Sequence, residues 1–141
     1  MCKAIELSQY IIGLLPVDNL KLQKLLYYCQ GVHLARTDGI IFEDKIEAWQ
    51  YGPVVPNVYH KYKGFGFDII KEDIQNEVNL VEEEIETIDM VLDYYGQFSG
   101  LELVSKTHSE DPWKEAYKPN ENNEITIDSI KKYFKEMIEF D

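Results

Sequence analysis

The chain has 141 residues, which fits one domain burying about two-thirds of the surface its unfolded form exposes. Hydrophobic residues make up 45% and charged residues 28%, so a wholly disordered chain is excluded, and no stretch nears the roughly 20 apolar residues of a membrane span. The net charge of −12 and a single arginine, Arg36, speak against a phosphate-binding groove, so no nucleic-acid partner is expected.

The start, Met1-Cys2-Lys3-Ala4-Ile5-Glu6, lacks the basic-then-apolar pattern of a signal peptide. Cys2 and Cys29 are the only cysteines and read as free thiols in a reducing cytoplasm, with Cys29 a core filler and Cys2 terminal and mobile. Residues 2–15 carry Ala4, Ile5, Leu7, Ile11, Ile12, Leu14 and Leu15 at helical spacing, and Pro16 ends the run. Asp18 offers an N-cap to a second helix, whose Leu22, Leu25, Leu26, Cys29, Val32 and Ala35 form one stripe up to Thr37-Asp38-Gly39.

Short strands are predicted at Ile40–Phe42 and Ile46–Tyr51, and a further one at Phe67–Ile70. Pro56 suits the first turn of a third helix lined by Val58, Tyr59 and Tyr62 and closed by Gly64-Phe65-Gly66. Capping boxes at Asn79–Glu82 and Ser99–Glu102 predict two more helices. Asp111 followed by Pro112 predicts another, residues 118–124 read as a polar loop, and Asp128 as the cap of a last helix with Ile130, Phe134, Met137 and Ile138 inward. The expected fold class is α+β, predominantly helical: one domain of six or seven helices, with a small antiparallel element of two or three strands after the second helix.

Charge is unevenly spread. Residues 1–64 hold seven basic and six acidic side chains, whereas residues 68–93 hold ten acidic ones against Lys71 alone. Such a run is either a solvated helix face or a dock for a basic partner. No metal ligand spacing and no phosphate loop occur, so neither metal nor cofactor is expected. His33 reads as a partly buried histidine with a hydrogen-bond partner. His108, beside Ser109, Glu110 and Asp111, reads as a helix-to-helix corner; a hydrolase or transferase using His108 with Glu110 or Asp111 is the alternative, although no nucleophile elbow accompanies it. Trp49, Tyr51, Tyr59 and Tyr62 surround Gly52-Pro53-Val54-Val55-Pro56, a stiff aromatic segment suited to an interface.

Three motifs carry a family resemblance. The stretch Lys21-Leu22-Gln23-Lys24-Leu25-Leu26-Tyr27-Tyr28-Cys29-Gln30-Gly31-Val32-His33-Leu34-Ala35 resembles the signature helix of the Panacea domain family, also called SocA-like or GepA-type phage-associated. Ile46 to Pro56 with Val58-Tyr59 is similar to its second motif, and Leu103–His108 with Pro112-Trp113 and Ala116 to its third. Val32 stands where the family often has Trp. The resemblance implies a non-enzymatic antitoxin that neutralises a cognate toxin, encoded by the adjacent gene, through direct protein binding. In one branch of the family the domain is instead an adaptor delivering its toxin to the ClpXP protease. A protease would need a second surface, for which the acidic helix or the tail Met137–Asp141 could serve. The interface expected from the aromatic segment and the motifs comprises Trp49, Tyr51, Pro53, Val55 and Tyr59, with Lys21 and Lys24 as nearby polar residues.

Overall fold

A computed structural model describes residues 1–72 and 78–138. Helix α1 (Ala4–Leu14) stops at Leu15, whose extended backbone leads into Pro16. Helix α2 (Asn19–Thr37) begins where the Asp18 carboxylate accepts from Lys21 N–H at 2.8 Å. The hairpin of β1 (Ile46–Trp49) and β2 (Gly52–Val54) follows, then α3 (Pro56–Tyr62), with Pro56 in its first turn, and a 3₁₀ turn at Lys63–Phe65. Helices α4 (Glu82–Tyr95), α5 (Gly100–His108) and α6 (Asp111–Ala116) precede β3 (Asn123–Ile125) and α7 (Ile127–Met137). The fold is therefore predominantly helical α+β, with seven α-helices among the described residues.

The core is organised around α2, which packs against α1, α3, α4, α5, α7 and β2. Burial runs unbroken from Leu22 to Leu34. The predicted stripe is present, but the helix is covered on all sides. Gln23, Lys24, Gln30 and His33, polar positions that would face solvent on a surface helix, are inside. Most of them find partners from other elements. Gln30 donates to Phe42 C=O and accepts from Ile41 N–H, both at 2.8 Å. His33 Nδ1 meets Thr87 Oγ1 of α4 at 2.7 Å, matching the expected partnered histidine. Tyr27 and Tyr28 donate to the two carboxylate oxygens of Glu110 at 3.0 and 2.9 Å.

The sheet has the order β2-β1-β3, antiparallel throughout. Pro53 sits in edge strand β2 opposite Ala48, and Ile46 pairs with Ile125. The third strand thus comes from beyond α6, where a polar loop was expected: the free edge of β1 recruits it, and Asn123 anchors it by donating to Ala116 C=O at 2.9 Å. Neither Ile40–Phe42 nor Phe67–Ile70 forms a strand. Ile40–Phe42 is held by Gln30 and by one bridge to Cys2, while Ile70 N–H bonds Val17 C=O at 2.9 Å and Phe67 and Ile69 stay exposed.

Three caps slide from their predicted positions. Val81 opens α4, with Glu84 accepting from its N–H at 3.0 Å; Glu110, not Asp111, precedes α6; and Thr126, not Asp128, caps α7 by accepting from Ser129 N–H at 3.2 Å. The Ser99–Glu102 box forms as predicted. Cys2 is pinned rather than mobile: its N–H bonds Ile41 C=O at 2.9 Å, and burial pushes its thiol up to about 12.

Two outcomes are expected. At Gly31, α2 crosses α7 so closely that a methyl group would overlap the Phe134 ring. Gly31→Ala should therefore destabilise the fold by about 1–3 kcal/mol in urea denaturation. Glu110 is only 8% exposed, and burial pushes its carboxyl from 4.5 up to about 7 despite the two tyrosine donors. The folded state then holds its proton more tightly than the unfolded state. That contribution is complete below pH 4.5 and is lost as pH rises through 7. Relative to Glu110→Gln, the wild type should lose about 3 kcal/mol between pH 4.5 and 7, read as the difference between their denaturation midpoints.

Candidate functional site

The β1–β2 turn, Gln50-Tyr51, projects from the sheet above the first turns of α2. Trp49, last in β1, is half-buried. Its indole N–H donates to Glu47 at 2.9 Å, and its ring meets Tyr59 of α3 edge-on at 4.9 Å. Tyr51, at the tip, is 58% exposed. Trp49, Tyr51 and Tyr59 line one side of a cleft of about 450 Å³, whose base includes Asn19, Gln23 and Lys24. The volume lies within the roughly 300–1,000 Å³ span of ligand sites. Phe67 flanks the same cleft and is 88% exposed. The sequence pattern placed it in a strand and not at the site; the signal available was its position just past the second glycine of Gly64-Phe65-Gly66.

The remaining predicted residues lie elsewhere. Pro53 and Val55 are buried, and Val55 is a joint: its N–H donates to Gln23 at 2.8 Å and its C=O accepts from Val58 and Tyr59. Gln23 also donates to Asn19, which donates to Tyr59 C=O. This relay fixes α3, and with it the Tyr59 ring, against α2. Lys21 turns toward α4, donating to Gly96 C=O at 2.7 Å near the negative end of that helix.

Lys24 is fully buried, and its ammonium has no hydrogen-bond partner among the described residues. Its stem runs beneath Gly52, where a Cβ would come within 2.6 Å of Lys24 Cε and 2.8 Å of Thr107 Oγ1. Glycine is required there twice over, for that space and for a φ of +107°. Burial pushes the Lys24 amine down to about 7, opposed only by Asp18.

His108 stands behind this edge, not in the cleft. Its Nε2 meets Gln50 C=O at 3.0 Å, and its ring stacks on Trp113 at 4.0 Å. Trp113 donates to Trp49 C=O at 2.8 Å and stacks on Tyr117 at 4.5 Å. The third motif therefore buttresses the hairpin of the second. Glu110 points to the tyrosines of α2, away from any shared work with His108. Among the described residues no group of three or more potential metal ligands assembles, and no helix is long and apolar enough to cross a membrane.

Fold and site together define a helical domain with a small antiparallel sheet that presents braced aromatic side chains over a cleft. The profile described as "Antitoxin SocA-like, Panacea domain" matches residues 22–114. The chain belongs to that family. The curated protein "Antitoxin SocA" of Caulobacter vibrioides (strain NA1000 / CB15N) is 34% identical over 111 residues, covering 70% of this chain; the chain matches 59% of the length of that relative. No solved structure matches.

Lys24 sets the sign of a stability test. Its folded state binds a proton less tightly than the unfolded state, so stability is lost as pH falls from 10.5 toward 7. Lys24→Met should be more stable than the wild type at pH 7 by on the order of 4 kcal/mol, and the gain should shrink toward pH 10.5. Thermal melts of both proteins at pH 7 and 10 check this.

Proposed function

We propose that this chain is the antitoxin of a toxin–antitoxin pair and neutralises its toxin, encoded by the adjacent gene, by direct binding through the Trp49–Tyr51–Tyr59 edge. One observation carries the choice of surface. The exposed Tyr51 and the half-buried Trp49 and Tyr59 sit on a backbone held by Gln23, His108 and Trp113, so the loop enters a complex with little backbone entropy left to lose. Trp and Tyr are also the anchors that dominate binding energy at interfaces. The acidic face of α4, with Glu82, Glu83, Glu86, Asp89 and Asp93 exposed, offers long-range attraction to a basic partner. Its contribution is screened at physiological salt over about 8 Å.

Co-expression with the neighbouring reading frame tests the reading. The neighbour alone should arrest growth, and this chain should restore it and co-purify with the neighbour at undiminished abundance. Tyr51→Ala, which removes an exposed ring outside the core, should weaken the complex by at least tenfold, about 1.4 kcal/mol, without changing the melting temperature. A harmless neighbour would remove the proposal's foundation. Normal affinity of Tyr51→Ala would move the interface elsewhere.

A further inference from the structure

Helices α4 and α7 both pack on α2, and a second cleft of about 520 Å³ lies between them, lined at its floor by the buried Val32 and Phe134. It shares no residue with the cleft beside Tyr51. Apolar side chains stand at its mouth. Met90 and Tyr94, one turn apart on α4, are 43% and 54% exposed, and Met137 of α7 is 62% exposed. Tyr94 is braced edge-on against Tyr95 at 4.7 Å, and Tyr95 stacks on Tyr28 at 3.7 Å. Exposed apolar side chains gathered on one groove mark an interaction site, and methionine adapts its shape to an incoming surface. The charge beside the groove has one sign. Of the exposed carboxylates on α4, Glu82, Glu83, Glu86, Asp89 and Asp93, only Glu86 has a cationic partner among the described residues, Arg36 at 3.0 Å. The neighbouring cations are engaged elsewhere: Lys106 lies over the Phe98 ring at 4.3 Å, and Lys131 and Lys135 of α7 both pair with Asp38.

We propose that the α4–α7 cleft is a second docking surface whose occupant is a basic amphipathic helix of a partner protein. Its apolar side chains rest against Met90, Tyr94 and Met137, and its Lys or Arg side chains lie beside the uncompensated carboxylates of α4. The inference goes beyond the toxin-binding edge at Tyr51 and does not depend on it. A helix pairs its own backbone groups, so only side chains need enter the groove. An extended segment would bring N–H and C=O groups against two helical walls, which offer no strand edge to receive them. The carboxylates select the sign of the partner's polar face. A second copy of this chain is the wrong occupant, because each copy carries a net charge of −12 and the two fields repel.

The test titrates the isotope-labelled full chain with an amidated peptide of repeated Leu-Lys-Lys-Leu-Leu-Lys-Lys, whose leucines share one helix face. The control peptide has the same composition with its leucines spread around the helix. The amphipathic peptide should saturate the amide resonances of Met90, Tyr94 and Met137 and leave those of Tyr51 and Gly52 unmoved, with the control about tenfold weaker. Met90→Ser combined with Met137→Ser alters exposed side chains only, so the melting temperature should hold while the affinity falls about tenfold. Asp93→Lys should cost about threefold at low salt, and the loss should vanish at high salt. Equal binding of the two peptides, undiminished affinity of either variant, saturation at Tyr51 instead of the groove, or no saturation at millimolar peptide would each overturn the proposal. Dimerisation of the free chain in sedimentation, abolished by the methionine variant, would assign the groove to a second copy and overturn it as well.

Discussion

A helix buried on every face must find partners for its polar side chains, and α2 is built around that constraint. An amide or hydroxyl moved from water to an apolar interior without a hydrogen bond costs on the order of 1–3 kcal/mol. Gln23, Gln30 and His33 escape that cost by capturing the entry to α3, the loop at Ile41-Phe42 and helix α4 in turn, and Tyr27 and Tyr28 together capture the α5–α6 corner through Glu110. The polar side chains of α2 therefore act as addresses. Hydrophobic burial drives collapse onto this helix, and the hydrogen bonds decide which loop sits where.

The same logic ties the third motif to the second. Glu110 is held by two tyrosines of α2 and fixes the corner between α5 and α6. That corner aims His108 and Trp113 at the backbone carbonyls of Gln50 and Trp49. The hairpin tip is thus positioned through a chain of specific contacts that begins in the core. On the opposite side, Arg36 bonds Glu83 C=O and pairs with Glu86 at 3.0 Å, and with His33 and Thr87 it clamps α4 to the end of α2. The one arginine of the chain serves the fold rather than a ligand.

The helices were legible in the sequence because apolar periodicity and cap residues are local signals. Asp18, Pro56 and the Ser99–Glu102 box work where they were expected. What periodicity does not report is how many neighbours a helix has. The stripe from Leu22 to Ala35 says which side is apolar, and it is silent about the cover over Gln23, Lys24 and Gln30, which comes from elements far along the chain. Strand β3 was missed for a related reason. Asn123 and Glu124 have poor strand propensity, and the unpaired edge of β1 overrides it. At the site, the aromatic residues could be read because Trp and Tyr cluster around prolines. Val55 and Pro53 shared that pattern yet went inward, since a rigid segment needs buried joints to hold its exposed rings.

Lys24 is where the rule for α2 is broken, and the break has a thermodynamic direction. The other buried polar groups of the helix have partners within the fold, so their energy is settled before any encounter. Lys24 leaves its desolvation uncompensated in the free protein, held beneath a glycine that no other residue replaces without collision. The stem fills the space under the hairpin and keeps its apolar contacts, while the amine at its end reaches no acceptor; burial answers by drawing that amine toward its neutral form.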